Sequence, residues 1–404
     1  MSVQDLQTRI ELLSTEIERQ KEVLNQLQRS KTAAQHQLNA IRDPIARLPL
    51  EISSEIFLQC VPSYPQPSNP RVAPMLLLNI CNAWSTIALS TPALWVALAI
   101  HNPCDELLQI WLQRARGYSL SVRLMGMDGI GELNKEITIV GEYSKQLKHL
   151  EIYGAEPNLD PFIAVGSFPL LETLAIGDQE DDSSKVSVAQ IINLLALAPN
   201  LLELTLCGAT TIVDCSGNKI PILANLRSLH FGTSDDDLLT YVSLPSLRAL
   251  SLPFDIISAP DLSLFLKRSL PPLQKLGLGH GCYYLASNEL IQCLRIVPSL
   301  LHLELCIGPT CLVDLLLALA SSSSELLPNL QSLEIQYRYI APLKVTYEAL
   351  LRALSIRRER LCRFGLKGGY VVHPGQEVCD TLKRLTADGM EIYIGTDDCN
   401  FVSS

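Results

Sequence analysis

Apolar residues along this chain change their spacing twice. From Leu6 to Ile41 they recur in steps of four and three, at Leu6, Ile10, Leu13, Ile17, Leu24, Leu27, Ala34, Leu38 and Ile41, with Gln20 and Lys31 at two intervening core positions. That spacing predicts one long helix with a heptad seam, able to support a homodimer or to lie on the rest of the protein. Asp43-Pro44 ends it, because the residue before a proline is pushed out of the helical region. A short helix follows Pro49, which suits a first helical position, and carries Ile52, Ile56 and Cys60 on one face with Phe57 beside it. Pro62 to Pro74 holds five prolines and reads as extended. Met75 to Leu98 resumes as a helix to about Leu89, a turn at Thr91-Pro92 and an apolar close at Leu94 and Trp95.

From Leu147 onward the period changes again. Nine copies of Leu-x-x-Leu-x-Leu, in which Ile, Phe and other apolar residues sometimes stand in for Leu, begin at Leu147, Leu171, Leu201, Leu226, Leu247, Leu273, Leu300, Leu330 and Leu361, at intervals of 21 to 31 residues. Six of them have a proline two residues earlier, at Pro169, Pro199, Pro245, Pro271, Pro298 and Pro328. This is the leucine-rich-repeat signature: one short parallel strand per unit, stacked so that neighbours bury each other's apolar face. The expected fold class is therefore α/β, a leucine-rich-repeat solenoid with a parallel sheet. Helices such as Val188 to Leu197 and Leu312 to Ala320 return on the convex side, and Glu391 to Gly395 forms a last strand. The usual Asn after the strand is replaced by Ala209, Ser234, Asp255 and Gly308, so the backbone groups that an Asn ladder would serve need other partners.

Side chains alternate across a strand, so the residues flanking the last two apolar positions line the concave sheet. One column reads Glu151, Ala175, Thr205, His230, Ser251, Gly277, Glu304, Glu334 and Gly365. The neighbouring column reads His149, Thr173, Glu203, Ser228, Ala249, Lys275, His302, Ser332 and Arg363. The expected contact residues for a protein substrate are His149, Glu151, Glu203, Thr205, His230, His302, Glu304, Glu334 and Arg363. Acidic stretches at Asp178 to Asp182 and Asp235 to Asp237, with Asp214 and Asp255, are expected on one rim, either attracting a basic ligand or simply solvated.

A net charge of −10 argues against a nucleic-acid partner, since that affinity comes from clustered Lys and Arg. The longest apolar runs, Met75 to Ile80 and Leu312 to Ala320, fall short of the roughly 20 residues that span a bilayer. The polar, periodic N-terminus does not read as a signal peptide, and the expected location is cytoplasmic or nuclear. The twelve cysteines, among them Cys60, Cys207, Cys293 and Cys306, contain no Cys-x-x-Cys pair and read as reduced, buried thiols. No phosphate loop, His-Glu-x-x-His, Gly-x-Ser-x-Gly or zinc-ligand spacing occurs, and His280-Gly-Cys282 with Cys293 lacks zinc geometry, so no cofactor, no metal and no enzyme activity of its own are expected.

The stretch before the repeats carries a family likeness. Leu48-Pro49-x-Glu51-Ile52, Ile56-Phe57, the proline-rich insert, Cys81-x-x-Trp84, Ile87-Ala88-Leu89, Thr91-Pro92 and Leu94-Trp95 resemble an F-box of the kind found in expanded fungal, basidiomycete-type, F-box families. Trp111-Leu112-x-Arg114, Gly117 and the alternating Leu120, Val122 and Leu124 resemble the segment that joins that F-box to degenerate leucine-rich repeats. Asn82 and Ser85 depart from the pattern, standing where relatives usually carry basic residues. The resemblance implies three parts: residues 1–42 a coiled-coil helix, 43–100 an F-box-like helical domain, and 101–404 the solenoid. It further implies that Leu48, Pro49, Ile52, Ile56, Phe57, Trp84, Leu94 and Trp95 dock on a Skp-type adaptor, and through it on a cullin, while the repeats hold the substrate of a ubiquitin ligase. A solenoid scaffold that self-associates through its first helix, and a tight inhibitor-type binder, are the rival expectations.

Overall fold

The computed structural model describes residues 3–62, 69, 71–101, 105–126, 133–154, 158–177, 185–211, 222–232, 238–252, 259–279, 286–321, 326–337, 344–368, 371, 373–396 and 399–402. The acidic stretches at 178–182, 214, 235–237 and 255, and His280 with Cys282, lie outside them. The chain divides into two compact units, residues 1–100 with 106–120, and residues 101–105 with 121–404.

The first unit is helical. Helix α1 spans Val3–Arg42, α2 Leu50–Gln59, α3 Met75–Leu78 and α4 Asn82–Leu89, followed by strand β1 at Ala97–Ile100 and helix α5 at Asp105–Arg114. The helix expected from Met75 to Leu89 is two helices, because the backbone turns extended at Cys81 after the Asn79 side-chain amide has donated to the Met75 carbonyl at 3.2 Å and closed the last turn of α3. Phe57, Leu77, Cys81, Ala88, Leu94 and Trp95 form the core. Trp111 meets Trp95 edge-on with ring centroids 5.0 Å apart, and the Arg114 guanidinium lies 4.4 Å from the Trp95 ring centroid. These contacts accompany the grouping of residues 106–120 with this unit.

The second unit alternates strand and helix. Its elements are β2 (Leu120–Met125), α6 (Asn134–Gly141), β3 (Leu147–Tyr153), α7 (Asp160–Val165), β4 (Thr173–Ile176), β5 (Lys185–Ser187), α8 (Val188–Leu197), β6 (Glu203–Leu206) and β7 (Ala209–Thr211). They continue as β8 (Ser228–Phe231), α9 (Leu238–Tyr241), β9 (Ala249–Leu252), α10 (Ala259–Ser269), β10 (Lys275–Leu278), α11 (Ser287–Arg295), β11 (His302–Cys306) and α12 (Pro309–Leu319). The last are β12 (Ser332–Tyr337), α13 (Lys344–Arg357), β13 (Arg363–Gly368), α14 (Gln376–Ala387), β14 (Glu391–Thr396) and β15 (Cys399–Asn400). The main sheet runs β2-β3-β4-β6-β8-β9-β10-β11-β12-β13-β14-β15, and β5 pairs with β7 in a separate small sheet. Each predicted Leu-x-x-Leu-x-Leu copy supplies one strand, parallel to the next from β3 to β14. Alternate residues such as Leu250 and Leu252, or Leu303 and Leu305, point into the core, where helices present apolar residues at spacings of three and four: Leu290, Cys293 and Leu294 on α11, Cys379 and Leu382 on α14.

The missing Asn ladder has a substitute at the other end of the strand. The side chains of Asn200, Asn225 and Asn329, each just before the first Leu of a copy, donate to the carbonyls of Pro169, Pro199 and Pro298 in the copy before, at 2.8, 2.8 and 3.1 Å. Ser299 does the same to Leu273 at 2.8 Å, and Arg360 to Pro328 at 3.1 Å. The proline and the residue after it thus work across the repeat boundary: the ring cannot donate, but its carbonyl accepts. At the strand ends the repeats approach so closely that a Cβ on Gly177 would sit 1.6 Å from the Cys207 carbonyl oxygen, and Gly177 itself has φ +93°. The edge of β14 is covered by the antiparallel β15, where the Asn400 side chain accepts from the Ile394 and Val402 amides at 3.2 and 3.1 Å and donates to the Ile392 carbonyl at 3.2 Å.

Cys81, Cys207, Cys293, Cys306, Cys311 and Cys379 are buried thiols, as expected; Cys60, just past the end of α2, Cys362 and Cys399 are corrections, since they are exposed.

Candidate functional site

Helix α2 is apolar on more than one side, and the choice it makes defines the first site. It turns Ser53 and Phe57 inward, both at 0% exposure, and leaves Leu50, Ile52 and Ile56 between 38% and 51% exposed. Ser53 Oγ donates to the Ile45 carbonyl at 3.1 Å, and the Phe57 ring lies 4.9 Å from that of Trp84, so the inward register is held by a hydrogen bond and an aromatic contact. Asp43 anchors the other side: its carboxylate accepts the Trp84 indole N–H and, at 2.9 Å, the Ile45 amide. Ser54 and Thr91 share a hydrogen bond of 2.8 Å, and Thr91 Oγ1 donates to the Ile87 carbonyl at 2.7 Å, tying α2 to the end of α4.

Of the eight residues expected to face an adaptor, Leu48, Pro49, Ile52 and Ile56 are exposed and Trp84 is half-buried. Phe57, Leu94 and Trp95 are core, at 0 to 1% exposure, with the Trp95 indole N–H donated to the Ala88 carbonyl at 3.0 Å. They hold the outward face in place from behind. Leu50, Leu76 and Leu89 are exposed apolar side chains of the same unit that were not among the eight expected contact residues. Their signal was visible in Leu50, two residues before Ile52 at the start of the same helix.

The second site is the open face of the sheet, and the strand register assembles both predicted columns. His149, Thr173, Glu203, Ser228, Ala249, Lys275, His302, Ser332 and Arg363 stand side by side and continue to Glu391. Glu151, Ala175, Thr205, His230, Ser251, Gly277, Glu304, Glu334 and Gly365 form the next column and continue to Tyr393. Within them, Glu151 is already engaged: Arg123 Nε donates to it at 2.6 Å and Tyr153 Oη at 2.9 Å. Burial, then that hydrogen bond, pushes the Tyr153 phenol above its ordinary range. His149 Nδ1 is 2.7 Å from Thr173 Oγ1, Gln336 donates to Glu304 at 3.1 Å, and the Arg363 guanidinium, its pKa raised by the bond, donates to Glu391 at 2.7 Å. Burial holds His149 and His230 below the usual imidazole range, reinforced by Lys148 and Lys275 respectively. Glu203 and His302 are exposed. The face therefore offers neutral imidazoles, hydroxyls and a few carboxylates over small residues such as Ala249 and Gly277. Arg123, Tyr153, Glu391 and Tyr393 complete it and were absent from the expected set; Glu391 and Tyr393 were readable from the alternating last strand.

Among the described residues, no group of three or more His, Cys, Asp or Glu side chains is placed to hold a metal ion, and no helix is long and apolar enough to cross a membrane.

The repeat, the parallel register and the helices between strands define an α/β solenoid of the leucine-rich-repeat type. No family model matches the chain, and no curated protein matches it. Among solved structures it is similar to one described as the crystal structure of the Rad7 and Elc1 complex in yeast, at 13% identity and a TM-score of 0.39, over 97% of this chain and 98% of that one. The fold assignment rests on the strand register itself.

Proposed function

We propose that this chain is the substrate-recognition subunit of an SCF-type cullin-RING ubiquitin ligase, docking on a Skp-type adaptor through its first unit and holding a protein substrate on its sheet. One observation carries the reading: α2 spends its inward register on Ser53 and Phe57 and presents Ile52 and Ile56, with Leu48 just before it, to the outside. A helix of about three turns gains little from showing that much apolar area unless something covers it. The residues that would do the docking are also those on which the F-box resemblance rests. The chain itself performs no chemistry in this reading; it contributes by holding a lysine-bearing substrate near a loaded conjugating enzyme.

The test is binding of full-length protein to a purified Skp-type adaptor, beside an Ile52→Asp/Ile56→Asp variant. We expect micromolar or tighter binding, weakened more than about tenfold in the variant at unchanged circular dichroism. Absence of binding by the parent protein would leave the non-ligase scaffold in front.

A further inference from the structure

Every described side chain of α1 from Leu6 to Gln35 is exposed, including Leu6, Ile10, Leu13, Ile17, Leu24 and Leu27 of the heptad seam. Where the helix approaches α4, Asn25, Gln28, Arg29, Thr32, Ala33 and Gln37 line a polar groove with Asn82. If Ile10 and Ile17 are a positions, these six are b, e, f, b, c and g, so none of them is an a or d position of the seam. The helix is thus carried on its unit by its polar side, with the apolar stripe turned out along most of its 40 residues.

We infer that this stripe is covered by α1 of a second copy of the same chain, parallel and in register. Three features select that occupant. Over the first half of the helix, Ile10 and Ile17 at a with Leu6 and Leu13 at d are the core composition that favours two parallel strands; Leu24 and Leu38 at a and Ile41 at d do not continue it. Glu16 at g and Lys21 at e stand five residues apart, the offset at which g of one strand meets e of its parallel partner, so an in-register pair forms this contact twice; an antiparallel pair sets g against g and e against e and loses it. Lys31 at an a position and Gln20 at a d position weaken the seam while penalising shifted registers and larger bundles, in which more such groups are buried. In the single chain Glu16 is held by Arg19 and Lys21 by Glu18, local exposed pairs that the dimer exchanges at little cost.

The experiment is sedimentation and light scattering of the full chain at micromolar concentration. The expected mass is that of two chains, falling to one in an Ile10→Asp/Ile17→Asp/Leu24→Asp variant whose circular dichroism is otherwise unchanged. Glu16→Lys weakens the dimer several-fold, and Glu16→Lys/Lys21→Glu restores it. Under mild oxidation a Leu13→Cys variant gives a disulfide that peptide mapping places between position 13 of both copies. A parent protein that stays monomeric, a monomer-forming charge swap that the double variant does not rescue, or a dimeric Leu13→Cys variant that forms no link between the two positions 13 would each overturn the proposal. The Ile52→Asp/Ile56→Asp variant should remain a dimer, since its substitutions lie outside α1.

Discussion

His149 and His230 stand one column apart on the sheet, each held by burial below the ordinary imidazole value of 6.5. In the unfolded chain both take up a proton as pH falls through that value, while in the folded chain they stay neutral until lower pH, so the unfolded state binds more protons. Their contribution to stability is complete above about pH 6.5 and is lost as pH falls toward the folded values. We expect the urea midpoint to drop between about pH 7 and about pH 5.5, and a His149→Gln/His230→Gln variant to lose a smaller share over that window. Which residues share a column was legible from the period of two along each strand. That Glu151 is already claimed was not, because Arg123 comes from the strand before the first repeat copy and no spacing links them.

At the scale of elements, α2 shows where pattern reading stops. Ile52, Ile56, Phe57 and Leu58 put apolar groups nearly all round the helix, so periodicity cannot say which side is inward; a rotation of one residue exchanges Ile56 for Phe57. Tertiary partners decide it, chiefly the Ser53 bond to Ile45 and the Trp84 ring, and both depend on the Asp43 joint between α1 and α2. Hence Phe57, Leu94 and Trp95 belong to the core. Chemical denaturation should separate the two kinds of residue: Phe57→Ala is expected to cost about 3–5 kcal/mol, and Ile56→Ala less than about 1 kcal/mol. Reversed costs would mean that the helix sits in the other rotation.

For the whole molecule, the strand array was readable because Leu-x-x-Leu-x-Leu recurs with so little variation that each copy names its own strand. The device between copies was hidden: Asn200, Asn225, Ser299, Asn329 and Arg360 look like ordinary loop residues until the stacked copies bring each to a carbonyl of its predecessor. Asn225→Ala and Asn329→Ala should each lower stability by about 1 kcal/mol and, sharing no partner, add within about 0.5 kcal/mol in the double variant, measured by urea unfolding. A dimer through α1 would carry two docking units and two sheets, raising the effective concentration of the second binding event for any partner with two motifs.

The two-residue strand β15 has a consequence out of proportion to its size. Because it runs against β14, the last parallel edge shows the reverse polarity to anything that approaches it, and Asn400 occupies backbone groups a newcomer would need. A strand arriving parallel to β14 would find these groups already taken, which disfavours edge-to-edge pairing at that place.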